Sequence, residues 1–156
     1  MFREMRRAKQ NLGTKVAEEI MNEGQTGIFA VIGDEGYPYG VPVNFAYCDG
    51  KIYFHCAKEG HKIDAIKKEP KVSFTVITSD EVRPATFDTK YKSAIAFGEA
   101  RLLDDDDTIL KGIRLIVDKY SAGFKVEAEK EIKSDWGRLG IVEIDVQHLS
   151  AKRSLK

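Results

Sequence analysis

The residues best suited to chemistry lie between Tyr53 and Lys62, where the sequence reads YFHCAKEGHK. The aromatic residues at its start predict a β-strand, and His61 to Lys68 has the pattern of a short helix. A strand that runs through a glycine loop into a helix presents unpaired N–H groups and the positive end of the helix dipole. Because Lys58, His61 and Lys62 cluster there with Gly60, we predict a phosphate-binding corner.

The sequence gives less support to a metal site or a catalytic nucleophile in this segment. His55, Cys56 and His61 match no standard zinc spacing and lack an evident fourth ligand, so we predict no metal site. A nucleophilic Cys56 would need a partnering base, and burial as a small apolar residue explains it better. On the residues alone, His55 is better explained as a half-exposed strand histidine. Lys62 taken by itself is explained equally well as the solvated face of a helix, and the neighbouring Lys58 and His61 favour the phosphate site.

Composition limits the class of protein. The chain has 156 residues, 42% hydrophobic and 32% charged, which predicts a single globular domain over 1–156 with tails at 1–12 and 150–156. Lys and Arg together number 25, as do Asp and Glu together, so the formal net charge is zero. This balance counts against a nucleic-acid partner. Cys48 and Cys56 make no disulfide framework and are expected to be reduced thiols. No apolar run reaches the ~20 residues of a membrane span, so we expect no membrane partner and a cytoplasmic location.

The elements that must position the corner are mostly strands. The predicted strands are 27–32, 39–47, 51–56, 72–77, 91–103 and 139–146, with helices over 16–21, 61–68 and after the acidic run 104–107. Pro42 predicts an edge strand or a bulge, and Gly98 a bend or bulge. Residues 78–90 predict a polar loop. This order indicates a mainly β fold, a six-stranded, mostly antiparallel barrel with flanking helices, and not a βαβ dinucleotide-binding fold.

Four segments together resemble the FMN-binding split-barrel proteins. They are GYPYGVPVNF at 36–45, DGKIYFHCAKEGHK at 49–62, PKVSF at 70–74 and YKS at 91–93. The sequence is most similar to the 5-nitroimidazole-resistance (Nim-like) branch of the pyridoxamine 5'-phosphate oxidase-related group. The resemblance covers about residues 12–150. It implies a Greek-key split barrel and a homodimer with FMN at the interface, each FMN being held by both chains.

The resemblance also assigns residues to the cofactor. It places Pro42, Val43, Asn44 and Phe45 along the edge of the flavin ring, and His55, Cys56 and Ala57 beneath it. Gly60, His61 and Lys62 would hold the phosphate, with Tyr91 and Ser93 as further donors to the phosphate or ribityl chain. Trp136 would cover the flavin from the partner chain. Asn44 has a simpler alternative, in which it only satisfies a strand edge.

The function that follows is that of an FMN-dependent oxidoreductase for a small-molecule substrate. It would take electrons from NAD(P)H or a small substrate and pass them to an acceptor such as a nitroaromatic ring. His55 is the predicted catalytic proton donor, because imidazole exchanges protons near neutral pH. Alternatives are a pyridoxamine 5'-phosphate oxidase-like enzyme, a flavin-binding redox protein without turnover, and a small barrel that binds single-stranded nucleic acid. The oxidase is disfavoured because the chain ends SAKRSLK, without the arginine-rich substrate motif.

Overall fold

In the computed structural model, which describes residues 1–155, strands and helices alternate irregularly along the chain. The helices are α1 Gly13–Glu23, α2 His61–Lys68, α3 Asp106–Tyr120 and α4 Lys125–Asp135. The strands are β1 Gly27–Ile32, β2 Pro38–Val43, β3 Ala46–Cys48, β4 Lys51–Ala57, β5 Lys71–Arg83, β6 Asp88–Leu102 and β7 Leu139–Arg153. No helix in this described part is long and apolar enough to cross a membrane.

The seven strands form one antiparallel sheet in the order β2-β1-β5-β6-β7-β4-β3. Only Asn44 and Phe45 separate the two edge strands β2 and β3, so their ends lie within about 11 Å and the sheet must curl until its edges meet. Phe29 of β1 and Phe54 of β4 contact across the interior, with ring centroids 4.8 Å apart. The mainly β fold with flanking helices is therefore confirmed, but the predicted closed barrel is not, because the two edge strands β2 and β3 are not paired with each other in the described sheet. Its seam between β2 and β3 has no strand pairing among the described residues.

The predicted count of six strands is wrong, because the strand expected over 39–47 is two strands. Side-chain alternation continues through Asn44 and Phe45, so the sequence pattern alone conceals the break. Phe45 is fully buried, and its backbone N–H donates to the Tyr120 hydroxyl rather than to a neighbouring strand. The seam is therefore held by a side chain from α3.

Two further segments differ from the predictions. Residues 78–90, predicted as a loop, extend β5 and β6 into a long hairpin in which Asp80 pairs with Tyr91 and Val82 with Thr89. Its polar, exposed alternation lacks the apolar face by which strands are recognised. Residues 150–153, expected to be part of a tail, form the end of β7, where Arg153 pairs with Lys92. The rest of that tail includes Lys156, which lies outside the described residues.

The buried side chains form an inner and an outer cluster. Ile52 and Phe54 point into the barrel with Ile20 and Met21 of α1, which covers one end. Tyr53, which faces the opposite side of β4, packs outward against α3. Helix α4 was not predicted, because only Ile132 of its residues is buried. The outer layer of α3 and α4 matters for function because it lies against the face of β4 that carries His55.

Local predictions that depend on backbone geometry are confirmed. Asp49 and Gly50 form the β3–β4 turn with φ of 48° and 75°. Pro42 lies on the edge strand β2, and the register between β6 and β7 shifts at Gly98. The acidic run begins α3, where the Asp105 carboxylate accepts a hydrogen bond from the Thr108 N–H at 3.0 Å.

Candidate active site

The strand-to-helix corner has the backbone geometry of an anion site. Gly60 precedes α2 with φ 134° and ψ −179°, a conformation open essentially to glycine alone. No side chain caps the helix, so its first-turn N–H groups are available to an external acceptor. The sequence folds this way because β4 ends at Ala57 and a glycine permits the sharp entry into α2. The corner can hold an anion such as phosphate.

His61 is fixed by the turn between β1 and β2. Its ring stacks on Tyr39 with centroids 4.3 Å apart, and its Nε2 accepts a hydrogen bond from the Asp34 N–H at 3.1 Å. The Asp34 carboxylate lies 3.7 Å from the same nitrogen. Since Nε2 is engaged, His61 can face an anion only through Nδ1 or its backbone N–H.

Lys62 supplies the charge of the corner on the side of β4. Burial raises the pKa of the Cys56 thiol, and the nearby Lys62 ammonium partly opposes that rise. A raised pKa favours the neutral thiol over the thiolate, and the interpretation of Cys56 as a buried small residue rather than a nucleophile stays a prediction. Within residues 1–155, neither Lys58 nor Lys62 forms an ion pair, so both cations can pair with a ligand.

The seam residues Pro42 to Phe45 are anchored by α3. The Asn44 amide donates to the Gln25 carbonyl at 2.9 Å, and the Tyr120 hydroxyl lies 2.6 Å from the same oxygen. Lys119 places its Nζ 3.8 Å from the centroid of the buried Phe45 ring. Pro42 and Asn44 are exposed and Val43 is half-buried, so a ligand at this seam would meet these three residues rather than the fully buried Phe45.

Lys119 and Tyr120 had no functional signal in the sequence beyond their position at the end of a predicted helix. Burial lowers the pKa of Lys119 to about 8. Burial also raises the pKa of Tyr120, so its hydroxyl stays protonated and can donate to a seam carbonyl. Together they fix the β2–β3 corner from outside the barrel.

His55 is exposed and lines a cleft of about 380 Å³ between β4 and the helical layer. The apolar part of the cleft consists of Ile113, Val117, Phe124, Ile132 and Leu139. Three carboxylates of α4, at 127, 131 and 135, also line it at four-residue spacing, which places them on one face of the helix. Such a cleft can hold a flat apolar molecule next to an imidazole.

Three predicted site residues lie elsewhere in the chain. The Tyr91 hydroxyl donates to Gln10 at 3.2 Å, and Ser93 lines a separate cleft under the N-terminal segment. Helix α2 leads into Lys71, which pairs with Glu99 of β6. Ser93 lies six residues before Glu99 on β6, so it is about 20 Å along the strand from the end next to α2. Trp136 lines a groove with Leu110 and Arg114. The role of these three in binding a cofactor stays a prediction.

Comparison with known proteins agrees with this architecture. The model of the pyridoxamine 5'-phosphate oxidase family matches residues 14–153. The chain belongs to this family. The resemblance inferred from the sequence is thereby confirmed, because the family match covers nearly the whole chain and the solved structures include a Nim-type protein. No curated protein matches the chain.

Solved structures share the fold at low identity. A candidate 5-nitroimidazole antibiotic resistance protein from Bacteroides thetaiotaomicron is 19% identical, with TM-score 0.74 over 91% of this chain and 84% of that one. The flavocytochrome Anf3 from Azotobacter vinelandii is 18% identical, with TM-score 0.80 over 98% of this chain and 73% of the flavocytochrome. An FAD and heme binding protein from Mycobacterium smegmatis is 18% identical, with TM-score 0.77 over 95% of this chain and 74% of that protein. At these identities the likeness establishes the fold of this family member.

Proposed function

We propose that this family member is an FMN-dependent oxidoreductase that reduces small nitroaromatic compounds with NAD(P)H as electron donor. The observation that carries the proposal is the uncapped N-terminus of α2 beside Lys58 and Lys62, a few residues after His55 on the same strand-to-helix segment. The fold neighbours described as a flavocytochrome and as an FAD and heme binding protein support a flavin.

The corner fits the phosphate of FMN. Gly60 leaves the backbone open where the first turn of α2 begins, and the helix dipole with two unpaired lysines favours an anion. Cations gathered around a single helix N-terminus suit a single phosphate group, which is why we propose FMN rather than FAD. When bound, FMN would supply the two-electron redox chemistry of the reaction.

The remaining steps belong to the residues of the chain. The apolar wall formed by Ile113, Val117 and Leu139 holds an aromatic ring beside His55. The His55 imidazole holds a proton at a ring nitrogen and donates it to the substrate as the substrate is reduced. Tyr120 and Lys119 hold the buried Phe45 in place, so that the exposed Pro42 and Asn44 of the seam can border the cofactor.

The absorbance of purified protein from the near ultraviolet to the blue, with the mass of the released cofactor, tests the proposal. We expect a yellow protein that releases FMN and oxidises NAD(P)H in the presence of a nitroaromatic acceptor. A panel of nitro, quinone and pyridoxal acceptors distinguishes the alternatives. Released FAD contradicts the choice of FMN, and bound flavin without turnover indicates a redox protein. Protein that is colourless and binds no added flavin contradicts the proposal as a whole.

A further inference from the structure

A second cationic site lies at the mouth of the barrel. Lys9, Lys90, Lys92 and Arg153 line one cleft of about 450 Å³, which we call the barrel-mouth cleft. Lys92 lies two residues before the buried Ala94, so its Cβ is on the inner face of β6 at the point where that face leaves the core. The cleft is therefore formed where the ends of β5, β6 and β7 extend past the packed interior.

Two of these cations face each other directly. Lys92 of β6 is the register partner of Arg153 in β7, so their side chains share one face of the sheet. Like charges at directly opposite positions destabilise a β-ladder. Lys90 is on the same face two residues further along. An anion between these side chains would relieve the repulsion that the sheet otherwise sustains.

The surrounding carboxylates balance these charges only in part. Glu23 of α1 lies 3.8 Å from the Lys92 ammonium. Glu81 is opposite Lys90 in the register of β5 and β6, but the two form no ion pair within 4.0 Å. In the described part of the chain, Lys9, Lys90 and Arg153 have no carboxylate partner at that distance. The cleft thus keeps an excess of positive charge.

A bulge brings a hydroxyl into the same cleft. The register of β5 and β6 shifts between Ile77 and Ser79, which places Ser79 opposite Lys92. The skipped residue, Thr78, buries a hydroxyl oxygen that has no hydrogen-bond partner among the described residues. Bulges re-aim side chains and are frequent beside binding sites. Here the bulge adds a hydrogen-bond donor next to the opposed cations.

The barrel-mouth cleft is separate from the corner at α2. Helix α2 leads into Lys71, which pairs with Glu99, whereas the cleft lies at Lys92 on the same strand β6. The seven residues from Lys92 to Glu99 span about 23 Å of strand. One phosphate cannot occupy both sites in the same chain.

We propose that the barrel-mouth cleft binds a small molecule that carries a diphosphate group, such as a nucleoside diphosphate. Two opposed cations with a third beside them match two adjacent phosphates, and Arg153 can bind one of them through two N–H groups. A cleft of about 450 Å³ encloses a small ligand, whereas a nucleic acid needs charge spread along a face. The balanced net charge of the chain also counts against nucleic acid.

Calorimetric titration of the full chain with inorganic diphosphate, and then with ADP, tests this inference. We expect saturable binding that weakens with salt and falls at least about tenfold in the Lys92→Gln/Arg153→Gln double variant. The matched control is Lys130→Gln/Lys133→Gln, which removes two exposed cations of α4 and should leave the affinity unchanged. Lys62→Gln should also leave this binding in place, which separates the cleft from the proposed flavin site.

Thermal unfolding without ligand shows whether each variant is folded. The double variant should unfold at the same temperature as the wild type or higher, because the facing charges no longer repel. If it fails to fold, Lys90→Gln, at an exposed position of the hairpin, replaces it. The proposal is overturned if the wild type does not bind diphosphate, or if Lys62→Gln abolishes binding that the double variant retains. The proposal would also be overturned if a single-stranded oligonucleotide bound more tightly than diphosphate and its binding depended on Lys92 and Arg153.

Discussion

His55 and His61 lie on the same strand-to-helix segment, but the structure gives them different surroundings. The Nε2 of His61 is hydrogen-bonded to the β1–β2 turn and its ring stacks on Tyr39. His55 is exposed in a cleft with apolar walls. An imidazole that must exchange a proton with a substrate needs open access, so His55 is the better candidate for the catalytic role and His61 for holding the corner.

His55→Ala should retain bound flavin and lose turnover by about 10²–10⁴-fold, the range ascribed to general acid–base catalysis. The cofactor spectrum and steady-state NAD(P)H oxidation measure the two effects separately. His148→Ala serves as the control, because His148 stacks on Phe2 in a different cleft. Unchanged turnover in His55→Ala would remove this residue from the mechanism.

Lys119 should make folding stability depend on alkaline pH. Burial lowers its pKa to about 8 from 10.5, although the Phe45 ring beneath it favours the charged form. Between these two pH values the Lys119 amine is protonated in the unfolded chain but not in the folded one. The contribution of Lys119 to the free energy of unfolding therefore rises with pH in this range. Below about pH 8 both states are protonated, and the cost of burying the charge is fully present.

Chemical denaturation of wild type and Lys119→Met from pH 7 to pH 10 tests this expectation. The stability of the wild type relative to the variant should increase as the pH passes 8. Lys111→Met, at an exposed position of the same helix, should give a profile parallel to the wild type. A parallel profile for Lys119→Met as well would mean that the buried amine does not titrate in this range.

At the level of elements, the bulge of β6 depends on the absence of a side chain at Gly98. A Cβ there would lie 2.2 Å from the Asp145 carbonyl oxygen of β7, which is backbone and cannot move aside cheaply. Gly98→Ala should therefore lower the free energy of unfolding by more than about 2 kcal/mol, as measured by denaturant titration. At Gly123 an added Cβ meets nothing within 4 Å, so Gly123→Ala is the neutral control. Equal stability of the two variants would show that the strands shift freely.

The sequence predicts those elements in which one face is apolar or a turn residue is specific. Helix α2, the Asp49–Gly50 turn and the position of Pro42 on an edge belong to this group. The extension of the β5–β6 hairpin and helix α4 are not predicted in this way. The extension is stabilised by strand pairing and α4 by a few contacts, and neither has a continuous buried stripe of apolar residues. The break at the seam depends on Tyr120, some 75 residues from Phe45, and no local pattern encodes such a contact.

The candidate site was predictable to the same extent. His55 and the corner with Lys62 follow from one continuous motif, which local patterning and family resemblance both detect. The wall of the His55 cleft comes from α3 and α4, and the barrel-mouth cleft from three distant segments. Those parts depend on how the sheet curls, and only the folded chain brings them together.

At the level of the whole molecule, the outer face of β1 and β5 is unusually apolar. Ile28, Ile32 and Ile77 are 40%, 46% and 56% exposed. All three point away from the barrel, since their neighbours Phe29, Val31 and Val76 are buried. Such a face is typical of an interface, and we propose that it contributes to a homodimer with FMN between the chains.

Light scattering coupled to size-exclusion chromatography should give twice the mass of one chain. Ile28→Glu should shift the protein toward the monomer and reduce bound flavin, because charge at an apolar interface is costly. Phe87→Glu, at the 96% exposed tip of the hairpin, is the control and should remain dimeric. A monomeric wild-type protein would contradict the proposed assembly.

The position of β7 in the sheet has a consequence for the order of folding. β7 lies between β6 and β4, so it alone joins the half-sheet β2-β1-β5-β6 to the β4-β3 hairpin. Three hairpins, β1–β2, β3–β4 and β5–β6, are local and can form as soon as each has been synthesised. The pairing of Lys51 with Asp145 must wait for the last strand. During synthesis the two half-sheets therefore keep open hydrogen-bonding edges until residues 139–153 emerge, and this interval is when the nascent chain is most exposed to aggregation.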